Sequence, residues 1–233
     1  MKNRIRSKFA SCLLAIICMM VAQPVSAQDT KALRDSLRLA IEDMEYHPDS
    51  ADLRLKKAGW NLMLEEWDKA KNEYDYILDR NPNNLAARYF RAFVNEKLHR
   101  YGFARIDYEN LLAAVPGHFE AQLGLALLNQ KDKHYTEAYN QINNLVSLFP
   151  DSAIVYAARA GMEMERQMWE PAEYDYSEAI KRDPQNADYR LARVELRIQM
   201  RRFDEARADL DELVKQGVSR ATLTEYYRRL GKK

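Results

Sequence analysis

From residue 51 onward, small and apolar side chains return every 34 residues. One small column reads Ala58, Ala92, Ala126, Ala160 and Val194, and a second reads Ala70, Ala104, Ala138, Ala172 and Ala206. Bulky residues follow the second column at four residues (Tyr74, Tyr108, Ile142, Tyr176, Leu210) and at seven (Ile77, Leu111, Leu145, Ala179, Leu213). That spacing lines a single helical face. An aromatic column, Trp67, Tyr101, Tyr135, Trp169 and Phe203, stands three residues before the second alanine, where the turn between two helices must bend back. Pro48, Pro82, Pro116, Pro150 and Pro184 keep the same period and punctuate the units. Each unit therefore predicts two amphipathic helices joined by a tight turn, with small residues where the two backbones approach. One such pair cannot bury its apolar face alone, so the units must stack into an all-α array.

A small residue in the first helix, an alanine early in the second, a bulky residue four later and a closing proline, all on a 34-residue period, resemble the tetratricopeptide repeat family. The resemblance implies a right-handed solenoid whose repeats span 51–84, 85–118, 119–152, 153–186 and 187–218. Two columns depart from the family. Arg54, Arg88, Gln122, Tyr156 and Arg190 stand where an aromatic is common, and Asn61, Asn95, Asn129, Glu163 and Arg197 where a tyrosine is favoured. The first helices must therefore pack with different chemistry.

A charge pattern suggests that chemistry. Lys57, Arg91, Arg159 and Arg193 form one column, and Glu73, Asp107, Asp175 and Asp209 another, sixteen residues later; repeat three changes both, to Leu125 and Gln141. Each base is expected to bridge the two helices of its own repeat to its acidic partner. Asp68, Gly102, Thr136 and Asp204 are expected as N-caps of second helices.

Outside the repeats, residues 28–50 predict an N-terminal capping helix with the stripe Ala32, Leu33, Leu37, Ala40, Ile41 and Met44. Residues 219–233 predict a C-terminal capping helix started by Ser219, with Leu223, Tyr226, Tyr227 and Leu230 turned inward. Residues 1–27 read as a cleaved signal peptide: Lys2, Arg4, Arg6 and Lys8 precede an apolar run from Cys12 to Ala22, and Val25-Ser26-Ala27 closes it. The expected destination is the periplasm or cell envelope of a Gram-negative bacterium.

That leader holds four of the 36 basic residues and none of the 35 acidic ones, leaving the remainder at a formal charge of −3. Such a balance gives no clustered basic footprint for nucleic acid. Both cysteines fall in the leader. The four histidines, His47, His99, His118 and His134, lie at or beside turns without ligand spacing. No glycine-rich phosphate loop or nucleophile elbow occurs. The expectation is no catalytic, metal or cofactor residue and no small-molecule substrate, with any membrane contact made only through a partner.

The resemblance further implies a concave wall lined by first helices. The matching positions nominate Leu55, Leu62, Tyr89, Phe93, Glu96, Lys97, Leu123, Leu127, Lys131 and Met164 as a groove for a peptide or partner subunit, with Tyr89 and Phe93 as anchors. The other reading is a structural subunit of an envelope assembly that uses its ends or convex face.

Overall fold

A computed structural model describes residues 27–231; the expected signal peptide, apart from Ala27, lies outside the described residues. Among the described residues there are twelve α-helices and no strand. The chain divides into two units at Pro116/Gly117. The first holds α1 (Ala27–Tyr46), α2 (Ala51–Met63), α3 (Trp67–Arg80), α4 (Leu85–Lys97) and α5 (Tyr101–Ala114). The second holds α6 (Phe119–Lys131), α7 (Tyr135–Leu148), α8 (Ala153–Glu165), α9 (Trp169–Arg182), α10 (Ala187–Gln199), α11 (Phe203–Lys215) and α12 (Thr224–Arg229). From α2 onward these are successive helix-turn-helix repeats.

Four of the five first helices begin with a side-chain cap; Ser152, before α8, makes no such bond. Ser50, Asn84 and His118 each accept a hydrogen bond from the backbone N–H three residues on, at Leu53, Ala87 and Ala121, and Asn186 accepts from Asp188 N–H. Each cap follows its proline by two residues and has the extended backbone that suits an N-cap. Second helices begin differently. Asp68, Gly102, Thr136 and Asp204 lie inside the first turn; the residues before their helices are Glu66, Arg100, His134 and Arg202, without a side-chain cap bond. The turn before each second helix instead closes the C-terminus of the first.

In that turn Glu65, His99, Lys133, Gln167 and Arg201 adopt φ values of 57–64°. The N–H of the next residue then reaches back to the carbonyl of Asn61, Asn95, Asn129, Glu163 or Arg197, at 2.8–2.9 Å. This is a Schellman closure with a side chain where glycine is usual.

In the first unit Ala58 and Ala70 are fully buried beside Tyr74, Ile77, Phe90 and Val94, and the Tyr74 and Phe90 rings stack with centroids 6.0 Å apart. In the second, Ala126 and Ala138 pack with Ile142, Leu145, Val155 and Met162; Ala160 and Ala172 pack with Tyr176 and Leu196. Each large side chain buried this way contributes about 1.5–3 kcal/mol.

Both ends correct the expected caps. On α1, Ala40 is buried and Leu33, Leu37 and Met44 are half-buried, but Ala32 and Ile41 face solvent. Ser219 does not start a helix: its Oγ accepts from Ala221 N–H within a run of turns, and α12 begins at Thr224. Leu223 and Leu230 still close over Val194, Ala206, Leu210 and Leu213.

Candidate protein-binding surface

The first-helix surfaces depend on a polar frame built between helices. Arg91 Nε and Nη2 donate to the two oxygens of Asp107 at 2.8 and 2.7 Å; Arg159 does the same to Asp175 at 2.5 and 2.8 Å, and Arg193 to Asp209 at 2.9 and 2.6 Å. Lys57 Nζ lies 2.6 Å from Glu73. The sixteen-residue pairing read from the charge pattern is thus a two-pronged clamp in three repeats. A third arm adds to it. Nη1 of Arg91, Arg159 and Arg193 reaches into the preceding repeat, to Asp75, Asn143 and Ser177, at 2.9, 2.9 and 2.8 Å. In repeat three Leu125 is buried, and Asn129 Nδ2 satisfies Gln141 at 2.8 Å instead.

The two departing columns join this frame. Arg54 Nη1 donates to Glu73 at 2.8 Å and its Nη2 to the Pro48 carbonyl, which explains a base where an aromatic is common. Asn61, Asn95, Asn129 and Glu163 are all buried under the turn. Arg197 bridges Glu173 and Asp209, each at 2.8 Å, and Arg202 completes the Glu173 pair.

Glu163 is the acid in a column otherwise filled by three asparagines and an arginine. It is 3% exposed, accepts from the Tyr139 hydroxyl at 3.1 Å through Oε1, and has no partner for Oε2. Burial, and then the Asp175 carboxylate, push its carboxyl up to about 7, against the Tyr139 bond and the Arg159 charge.

Seven of the ten nominated residues are at least partly accessible. In the first unit Leu55, Tyr89 and Phe93 sit half-buried over the core formed by Leu62, Tyr74 and Phe90. Phe93 meets Trp67 edge-on at 6.4 Å, and the Lys97 ammonium stands 5.2 Å from the Phe93 centroid and 5.9 Å from that of Trp67. Tyr89 packs edge-on against Phe90 and Tyr108. In the second unit Leu127 and Met164 are half-buried and Lys131 is exposed. Leu62, Glu96 and Leu123 are corrected: all three are buried, because their positions point between helices.

Among the described residues no three His, Cys, Asp or Glu side chains converge on a possible metal position, and no helix is long and apolar enough to cross a membrane. His118 caps α6, and His99 Nδ1 lies 2.9 Å from the Tyr101 hydroxyl.

The architecture defines the chain as an all-helical repeat protein. Its fold is the tetratricopeptide repeat fold, as comparison with solved structures shows. A tetratricopeptide repeat protein from Parabacteroides merdae superposes with a TM-score of 0.75 at 21% identity, over 94% of this chain and 90% of that one. A thermophilic TPR protein of Thermus thermophilus gives 0.65 at 19% identity, over 78% and 99%. YrrB, a TPR protein with an unusual peptide-binding site, gives 0.50 at 17% identity, over 76% and 91%. No protein-family profile and no curated protein matches the sequence.

Proposed function

We propose that the protein is an exported scaffold that binds a peptide or partner subunit on the first-helix surfaces of its repeats and carries out no chemistry itself. The observation that carries this reading is the pair Tyr89 and Phe93. Two large aromatics lie half-exposed on α4, braced from beneath by Phe90, Tyr108 and Trp67, with the Lys97 ammonium beside them. Rigid aromatics on a prepared surface lose little conformational freedom when they capture a partner, and such residues dominate interface energies. The peptide-binding site of YrrB offers a parallel on the same fold. Export to the periplasm or cell envelope is supported by the basic, apolar and small-residue order of residues 1–27.

The test is affinity capture from envelope extract by the wild-type chain and by the Tyr89→Ala/Phe93→Ala double variant, read by mass spectrometry. A protein held by wild type and lost by the variant is the expected result. Equal recovery by both would overturn the first-helix surface as the working face and favour the assembly-subunit reading.

A further inference from the structure

A second surface lies on the other helix of repeat two. At the start of α5, Tyr101, Gly102, Phe103 and Ile106 line an open depression of about 430 Å³, with His99 and Arg100 at its edge. Phe103 is 66% exposed and Ile106 54%. The period makes this unusual. The positions equivalent to Phe103 hold Lys69, Glu137, Pro171 and Glu205; those equivalent to Ile106 hold Asn72, Asn140, Tyr174 and Ala208. Gly102 replaces Asp68, Thr136, Glu170 and Asp204, and a side chain built there would meet nothing within 4 Å. Three mostly polar columns have thus been cleared together, leaving two apolar side chains beside a bare notch.

The charge around the notch says what fits it. Arg100 is its charged lining residue, and no acid lines it. The Arg100 guanidinium touches Asp68 at 3.5 Å with both side chains largely exposed, a loose pair that costs little to exchange. The first turns of α3, α7, α9 and α11 each carry an acid; that of α5 carries none. A carboxylate brought by a partner would therefore take Arg100 over from its loose pair with Asp68 while its apolar neighbours cover Phe103 and Ile106.

We propose that this face docks a protein segment carrying an acidic side chain flanked by apolar ones, independently of Tyr89 and Phe93. The probe is a display library of random peptides panned on the immobilised full chain. Enriched peptides are expected to combine Asp or Glu with Phe, Leu or Ile. Their affinity should fall about tenfold or more on Phe103→Ser/Ile106→Ser, a loss fitting two interface anchors, and be unchanged on Tyr89→Ala/Phe93→Ala. Arg100→Gln should weaken binding and flatten its salt dependence. Because Phe103, Ile106 and Arg100 are exposed, helicity and melting temperature of the variants at these positions should stay at wild-type values, separating lost docking from lost fold. Enrichment without acids, equal binding by the Phe103/Ile106 variant, or self-association of wild type abolished by that variant would overturn the proposal, the last by making a second copy the occupant.

Discussion

Replacing Glu163 by glutamine tests the electrostatics of the second unit directly. The Glu163 carboxyl sits at about 7 in the fold against an ordinary 4.5. Between those values the native chain keeps a proton that the unfolded chain has released, so stability falls as pH rises through this window and is level on either side. At about 1.4 kcal/mol per unit, the Glu163 contribution spans about 3 kcal/mol. The amide introduced by Glu163→Gln would keep an oxygen for the Tyr139 hydroxyl and carry no charge to bury beside Asp175. Glu178 and Glu195 do not confuse the reading: Arg182 and Arg229 hold them below 4.5, and their contributions are lost only in more acid solution. Urea denaturation followed by helical ellipticity, at several pH values from about 5 to 8, should show wild type weakening and Glu163→Gln close to level. Parallel curves for the two proteins would refute the assignment of a buried, near-neutral acid to Glu163.

Breaking one clamp should be costly because its acid is buried. Asp175, only 1% exposed, takes two bonds from Arg159; Asp175→Asn should cost about 3 kcal/mol, whereas Asp79→Asn on the exposed face of α3 should cost under about 0.5, measured by urea midpoint. At the turn between α6 and α7, Lys133 holds φ at 64°, so Lys133→Gly should gain about 1 kcal/mol and Lys133→Ala nothing; equal effects of the two would show that the turn carries no left-handed strain.

What can be read from the sequence follows from how directly each contact constrains residue type. A helix crossing tolerates only small side chains, so Ala58, Ala70 and their equivalents announce the fold. The clamp is legible for the same reason, since two buried prongs demand an acid sixteen residues on. Its third arm ends on Asp75, Asn143 or Ser177, three acceptors that no single residue class unites, so no column betrays it. The caps sit on the other helix of each pair: Asp68 and Asp204 suit a first turn as well as a cap, and the strained turn that closes α2 or α10 contains no glycine to mark it. The groove residues rest on position alone. Whether a first-helix side chain faces outward or into the neighbouring helix depends on rotation by a fraction of a turn, which is why Leu62 and Leu123 vanish into the core while Tyr89 and Phe93 remain within reach.

The three-armed arginine also bears on how such a chain can lengthen. Each of Arg91, Arg159 and Arg193 stands sixteen residues after the acceptor it finds in the previous repeat and sixteen before the acid in its own. A copied 34-residue stretch of this kind would bring both its own fastener and the eyelet for the next unit, so a gene duplication that adds one repeat would need no second mutation to join it.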